Sequence, residues 1–273
     1  MAVVRCKSPV HLLEQLHVLQ GAPRSGPWSF RGQALASWRL IPSLFRLNLP
    51  NEQQFEQRLI ESLRLNLRHR STIPERLVSN DDYVLALAQH YGCATRMLDW
   101  TLSPIAAAYF AASGSLRERS DQPFAVFGIA EITCMADHAK GSEIVYPPTG
   151  ANTNLAAQSG LLLRHDWACR DFWKEEFERP STESQPGVSD LLDSRFFRFE
   201  LAAGFAGPLL DELQLRRGAD GSVFFPGVHG LVHTAADAAW RAGIVVTEPE
   251  PSDDQSDDTQ AAEQGVAAPA RRR

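Results

Sequence analysis

The chain has 273 residues, of which 44% are hydrophobic and 9% aromatic, so a substantial core can form and general disorder is excluded. The net charge of −6 is uneven, because residues 248–273 carry seven acidic residues and three arginines, which leaves the preceding residues at −2. This balance neither requires nor excludes an anionic partner. There is no apolar run of the roughly 20 residues that a membrane span needs and no secretory signal, so we expect a soluble, cytoplasmic protein.

The N-terminal part of the chain carries three clear helix signals. Residues 8–19 open with Ser-Pro and place leucines on one side, which predicts a first helix. An Asn cap predicts a long helix at 51–70, whose basic face we interpret as solvent-exposed in preference to a phosphate-binding surface. A second Asn cap predicts a helix at 80–91 that ends before Gly92.

Further elements are predicted along the rest of the chain. Strands are expected at 27–33, 124–132, 194–201, 222–225 and 244–247, and a loop at 137–149. Helices are expected at 103–110, 152–163, 166–178, 207–218 and 233–241. Because strands and helices alternate irregularly, the pattern favours an α+β fold in a single mixed domain, residues 1–247. Residues 248–273 are expected to form a disordered acidic tail that ends in Arg-Arg-Arg.

The richest window for chemistry is residues 89–111, Q-H-Y-G-C-A-T-R-M-L-D-W-T-L-S-P-I-A-A-A-Y-F-A. Polar groups are concentrated here between two predicted helices, a position where proteins often place functional side chains. The polar and aromatic residues in this window are His90, Tyr91, Thr95, Arg96, Asp99, Trp100, Thr101 and Ser103. We predict that Arg96 and Asp99 form a partly buried pair that orders the loop.

A second window, P-W-S-F-R-G-Q at residues 27–33, places Arg31 and Gly32 at the end of a strand. Together the two windows resemble the FRG domain family, named for its Phe-Arg-Gly signature. Three further blocks occur in the family's order: R-L-I-P-S-L-F-R at 39–46, N-L-A-A-Q-S-G at 154–160 and F-F-P-G-V-H-G-L at 224–231. The chain departs from the family at Gly227 and His229, where the family typically has acidic residues.

These residues suit a nucleotide-like ligand such as NAD. Arg31 can bind phosphate through two parallel hydrogen bonds, and Gly32 would let a ligand approach. Gln33 and Gln158 offer amides, while His90 and Tyr91 offer rings for stacking. We expect Arg31 and Gln33 to line one pocket with His90, Thr95 and Arg96. The sequence has no P-loop and no G-x-G-x-x-G motif, so the common nucleotide-binding folds are excluded.

A looser resemblance links this layout to ADP-ribosyltransferases, and it implies an ADP-ribosyltransferase-like fold with a split central sheet flanked by helices. It implies NAD as substrate, an intracellular protein or nucleic acid as acceptor, and a role as a toxin or phage-defence effector. The catalytic residues would be Arg31, His90 and Asp99. The NAD-binding residues would be Arg31, Gly32, Gln33, His90, Tyr91, Thr95, Arg96 and Gln158. Such transfer needs an acidic group near the ribose, for which Asp99 and Glu200 are the candidates.

Two alternatives stay open at this point. A non-catalytic module that binds nucleic acid or protein would explain the basic helix face and the missing acidic residues near Gly227 and His229. A metal-assisted hydrolase could use His90, Asp99 and His229. However, no metal-ligand spacing is present and the four cysteines form no C-x-x-C pair, so no metal site is predicted.

Overall fold

The centre of the fold is a β-sheet. The computed structural model describes residues 1–22, 27–131, 142–147, 153–168, 170–171, 174 and 194–243. Within these ranges the strands are β1 (Ala2–Arg5), β2 (Trp28–Gln33), β3 (Met97–Thr101), β4 (Phe124–Ala130), β5 (Ser142–Val145), β6 (Gly160–His165) and β7 (Phe196–Leu201). They form one seven-stranded sheet in the order β1-β7-β4-β2-β3-β6-β5. The pair β1–β7 is parallel and the other neighbours are antiparallel.

Helices flank this sheet. In the described residues they are α1 (Pro9–Gln20), α2 (Ser43–Arg46), α3 (Glu52–Arg70), α4 (Glu75–Val78), α5 (Asp81–His90), α6 (Pro104–Glu118), α7 (Thr153–Ala157), α8 (Ala206–Arg217), α9 (Gly221–Phe224) and α10 (Val228–Arg241). Four of them begin at the side-chain caps that the sequence indicates: Ser8, Asn51, Asn80 and Ser103. The predicted α+β class, a mixed sheet flanked by helices, is confirmed.

The sheet is nearly divided between β2 and β3. All six residues of β2 are in register with β4, whereas a single pair, Phe30 and Thr101, joins β2 to β3. The strand β3 is in turn fully paired with β6. The sheet therefore consists of two well-paired parts that meet at one point, which agrees with the predicted split central sheet.

Helix α6 packs directly on β2 because both surfaces are made of small residues. The helix buries a run of alanines that includes Ala107 and Ala111, and both lie against Gly32. A Cβ atom on Gly32 would lie 2.0 Å from the Ala107 carbonyl oxygen and 2.6 Å from the Ala111 nitrogen. The absence of a side chain at Gly32 is thus required by helix packing, whether or not a ligand also approaches there.

Several sequence predictions are wrong. The helix predicted at 152–163 is the short helix α7 followed by β6, because a run of three buried leucines does not distinguish a helix from a two-sided buried strand. The strand predicted at 222–225 is helix α9, which the side chain of Asp220 caps. The predicted loop at 137–149 contains β5, and the last helix begins at Val228, five residues earlier than predicted.

Other predictions lie outside the described residues. The edge strand at 244–247 and the acidic tail at 248–273 fall there entirely, and the helix at 166–178 falls there in large part. The described C-terminal residues up to Gly243 belong to one compact unit that begins at Met1. Among the described residues, no helix combines the length and apolar character that a membrane span requires.

The close contact between β2 and α6 can be tested by adding one methyl group. Gly32→Ala should lower the free energy of unfolding by about 3 kcal/mol, since its Cβ meets backbone atoms that cannot rotate away. Gly204→Ala is the matched control, because no atom lies within 4 Å of the added Cβ at that position. Urea denaturation of both variants measures the difference, and equal stabilities would contradict the packing argument.

Candidate functional site

A cavity of about 360 Å³ opens where β2 and β3 separate. Its described walls come from β2, the end of α5, β3, α6, the region of α7 and the start of α10. The polar side chains that line it are Arg31, Gln89, His90, Asp99, Thr101, Asn154, Gln158 and His229. The aromatic ones are Phe30, Trp100, Phe110 and Phe225. This combination of an apolar wall and a few polar groups is typical of small-molecule sites. We call this space the central cavity.

Arg31 spans the gap between the two parts of the sheet. Its Nη1 donates a hydrogen bond to the carbonyl oxygen of Asp99 at 2.5 Å, so a side chain links β2 to β3 where backbone pairing is missing. Its Nε is buried and has no hydrogen-bond partner among the described residues. Burial lowers the pKa of Arg31, the charge of Asp99 opposes that shift, and the charge of Arg46 adds to it. A bound anion would stabilise the charge of this guanidinium.

Asp99 is the acidic residue of the central cavity among the described lining residues. Its side chain is exposed, and one carboxylate oxygen accepts a hydrogen bond from Nε2 of Gln89 at 2.6 Å. The amide oxygen of Gln89 accepts a hydrogen bond from the Thr95 hydroxyl. Thr95 itself is completely buried. This chain of hydrogen bonds fixes the orientation of the carboxylate from within the protein.

The other acidic candidate, Glu200, lies elsewhere. It sits on β7 and forms ion pairs with Arg5 and Arg198 at 3.7 and 2.8 Å. In the sheet, β4 and β2 lie between β7 and β3. Glu200 is therefore not a candidate for chemistry in the central cavity, and Asp99 is the remaining one.

His90 is the last residue of α5, and its exposed ring faces the cavity. Tyr91 packs edge-on against it with ring centroids 5.0 Å apart, but 77% of Tyr91 is exposed and it does not line the cavity. The prediction that Arg31 and His90 share one concavity across some sixty residues is confirmed. A ring contact between Tyr91 and a ligand stays a prediction.

The predicted ion pair between Arg96 and Asp99 is wrong. Nε of Arg96 donates to Oε1 of Glu56 on α3 at 2.8 Å, and its Nη1 donates to the carbonyl oxygen of His165 at 3.1 Å. The guanidinium also lies 4.8 Å from the centre of the Trp167 ring. The expected supporting role is retained with a different partner, because this arrangement ties α3 to the start of β3 and the end of β6.

Besides Tyr91, three further predicted binding residues do not line the central cavity, namely Gln33, Thr95 and Arg96. Gln33 is buried and donates from Nε2 to the carbonyl oxygen of Trp38 at 2.8 Å. Thr95 is held by Gln89 and by the Ser43 hydroxyl, which accepts from its backbone N–H at 3.2 Å. The expectation that these residues share the pocket of Arg31 and His90 is wrong, since each is engaged in holding neighbouring segments together.

Gly32 and Gln158 do line the central cavity, as expected. Nε2 of Gln158 donates to the carbonyl oxygen of Phe224 at 3.1 Å, and the backbone carbonyl oxygen of Gln158 accepts from the Thr101 hydroxyl at 2.5 Å. This glutamine thereby connects β3 with α9. Gln89, Asn154 and the aromatic lining residues Phe110 and Phe225 were not singled out, although all lie inside the sequence blocks quoted above.

His229 contributes a polar network that leads from the cavity into the core. Its Nε2 lies 3.1 Å from Nε2 of His233, whose Nδ1 lies 2.9 Å from Nη2 of Arg117. Arginine can only donate, so Nδ1 of His233 accepts, and the proton of its neutral ring is on Nε2 and points to His229. Beyond Arg117, the buried carboxylate of Asp237 accepts hydrogen bonds from the hydroxyls of Tyr109 and Ser113 at 2.6 and 2.7 Å.

The residues of the metal-hydrolase alternative, His90, Asp99 and His229, all line the central cavity. Within the described ranges, however, no three His, Cys, Asp or Glu residues are placed so that they could hold a metal ion. In addition, Nε2 of His229 is already directed at His233. The geometry does not favour this alternative.

The FRG domain family model matches residues 26–120. The match covers about a third of the chain and includes β2, β3 and α6, so the chain contains an FRG domain. No curated protein and no solved structure matches the chain. The blocks at 154–160 and 224–231 lie beyond the matched residues, and their relation to the family stays a prediction. Residues from both blocks nevertheless line the central cavity.

The ion pair between Arg96 and Glu56 should matter for stability. The side chain of Glu56 is 5% exposed, and burial raises its pKa while Arg96 opposes that rise. Arg96→Ala leaves this carboxylate buried without its partner and should lower the free energy of unfolding by about 3 kcal/mol. The double variant Arg96→Ala, Glu56→Gln should lose less free energy of unfolding than the sum of the losses in the two single variants.

Arg68→Ala is the control for that experiment, because Arg68 on α3 forms an exposed ion pair with Glu75 on α4. It should leave the midpoint of urea denaturation unchanged. If Arg96→Ala also leaves the midpoint unchanged, the pair with Glu56 does not support the fold.

The histidine network should make stability depend on pH. Burial, followed by the charges of Arg117 and His229, lowers the pKa of His233, while Asp237 opposes the shift. The folded protein therefore binds a proton at His233 less readily than the unfolded chain, and stability should fall as pH drops below about 6.5. His233→Gln should remove part of this loss between pH 7 and pH 5, as measured by urea denaturation at each pH. An identical pH dependence in the variant would contradict the assignment.

Proposed function

We propose that this FRG-domain protein is an ADP-ribosyltransferase-like enzyme that uses NAD in the central cavity. The observation that carries the proposal is Arg31, whose buried, unpartnered Nε lies at the gap between β2 and β3. In the same cavity lie His90, Asp99 and an aromatic wall. The acceptor would be a protein or a nucleic acid, and the resemblance stated above supports a role as a toxin or defence effector.

Arg31 supports recognition of phosphate. A guanidinium that has lost hydration and has only a neutral carbonyl partner gains most from an anionic ligand. Because the same group bridges β2 and β3, ligand binding would also strengthen the connection between the two parts of the sheet.

Asp99 supports the transfer chemistry. When the bond between ribose C1′ and nicotinamide breaks, the electron pair leaves with nicotinamide and positive charge develops on the ribose. A carboxylate already oriented by Gln89 can stabilise this charge without reorganisation. The acceptor nucleophile then bonds to C1′ and loses its proton, for which His90 in the same cavity is the candidate base.

The amides and rings support binding of the nicotinamide part. Asn154 and Gln89 can exchange hydrogen bonds with a carboxamide, and Phe110 and Phe225 supply flat apolar surface. Phe225 is itself stacked on His233 with ring centroids 4.1 Å apart, so its orientation is fixed by the network described above.

A second candidate is a binding module without catalysis. It is favoured by the absence of an acidic residue from positions 227 and 229 and by the engagement of Asp99 with Gln89. Both candidates expect a ligand at Arg31, but only the enzyme requires the negative charge of Asp99.

That difference defines the test. Asp99→Asn keeps an oxygen that can accept from Gln89 but removes the charge, so it should lower the rate of nicotinamide release from NAD by about 100-fold. The dissociation constant for NAD, measured by calorimetry, should change much less, because the charge acts on the transition state. Asp121→Asn is the control, since Asp121 is exposed and lies outside the central cavity.

Labelled NAD incubated with the protein and a cell lysate would identify the acceptor as protein or nucleic acid. Expression of the parent chain should reduce cell growth, and expression of Asp99→Asn should not. If NAD binds with equal affinity to parent and variant but neither releases nicotinamide nor transfers label, the binding module is the correct function. If NAD does not bind, both the enzyme and the choice of NAD as ligand are wrong.

A further inference from the structure

A second cavity, of about 330 Å³, lies on the other side of Arg31. It shares Arg31, Gly32 and Phe110 with the central cavity, so the two spaces adjoin along these residues. Four arginines line it, Arg31, Arg39, Arg46 and Arg117, against one acidic residue, Glu118. We call this space the basic cavity.

Two of these arginines already have acidic partners. Arg39 forms an ion pair with Asp171, and Arg117 lies 3.5 Å from the carboxylate of Asp237. Neither Arg31 nor Arg46 forms an ion pair with any acidic residue that the structure describes. They are also close enough for the charge of Arg46 to disfavour the charge of Arg31.

This pairing pattern identifies a place for an anion. Two like charges beside one cavity repel each other. A ligand with negative oxygens between them would attract both guanidinium groups and offset that repulsion. The buried Nε of Arg31 is an independent sign, since a buried donor without a partner is uncommon in folded proteins. Glu118, whose side chain is exposed, offsets one of the two positive charges of Arg31 and Arg46, so these three groups together carry a net charge of +1.

The shape of the site points to a ligand with two halves. The cavities on the two sides of Arg31 are of similar size, about 360 and 330 Å³. The basic cavity also contains the ring of Trp38, which is 41% exposed and offers a surface on which a base can stack. A single phosphate would leave this ring and most of the space unused.

We propose that Arg31 and Arg46 bind the pyrophosphate of a dinucleotide whose two halves occupy the central cavity and the basic cavity. This rests on the proposed function for the identity of the half in the central cavity, but the anion site itself does not. The basic cavity then takes the adenosine half, against Trp38, and the central cavity takes the half that reacts.

The test uses Arg46→Gln, with inorganic pyrophosphate, ADP-ribose and nicotinamide as probes in calorimetry. Arg46 is exposed and makes no described ion pair, so the variant should fold like the parent. The affinity for pyrophosphate and ADP-ribose should fall about tenfold, and the affinity for nicotinamide should not change. Arg58→Gln is the matched control, because it removes the same charge from an exposed position outside both cavities and should change none of the affinities.

The outcomes separate the anion site from the proposed function. If pyrophosphate and ADP-ribose bind with the expected dependence on Arg46, the inference holds, even if NAD is never hydrolysed. If pyrophosphate does not bind, or if Arg46→Gln and Arg58→Gln have equal effects, the anion site is wrong. If a single-stranded oligonucleotide binds with this dependence on Arg46 and ADP-ribose does not, the site takes nucleic acid and the dinucleotide proposal is wrong.

Discussion

The near break in the sheet between β2 and β3 is the constraint on which the rest of the site depends. Only the pair of Phe30 and Thr101 joins the two strands, and beyond it a cavity takes the place of backbone hydrogen bonds. The side chain of Arg31 bridges this gap by donating a hydrogen bond to the carbonyl oxygen of Asp99. The residue that connects the two parts of the sheet therefore also has a buried N–H donor without a partner among the described residues. A fully paired sheet would have had neither the space nor the unsatisfied group.

The position of β2 is also fixed by α6, which packs directly on it. The alanines of this helix and Gly32 allow backbone to approach backbone, which leaves little freedom for β2 to move toward β3. The same helix supplies Phe110 to both cavities and Arg117 to the network on α10. One tightly packed helix thus positions groups on several walls, and the geometry of the site is a consequence of how the core packs.

The α10 side of the cavity differs chemically from the α5 side. On α5 and β3, a carboxylate is oriented by an amide and a buried hydroxyl. On α10, two histidines lead to Arg117 and to a buried carboxylate. The carboxylate of Asp237 accepts hydrogen bonds from Tyr109 and Ser113 and does not line the central cavity. Among the described lining residues, Asp99 therefore supplies the carboxylate of the central cavity.

The sequence by itself determined the features that are local. The caps at Ser8, Asn51, Asn80 and Ser103 and the α+β class follow from patterns within a few residues, and all are confirmed. The motif blocks also indicated the cavity, because Arg31 and His90 do share it. Tertiary structure decided the rest. Strands β3 and β6 are buried on both faces and show no alternation, and the partner of Arg96 is Glu56 because α3, distant in sequence, packs beside β3. Which charges meet, and which donors stay free, depends on contacts between elements that no local pattern encodes.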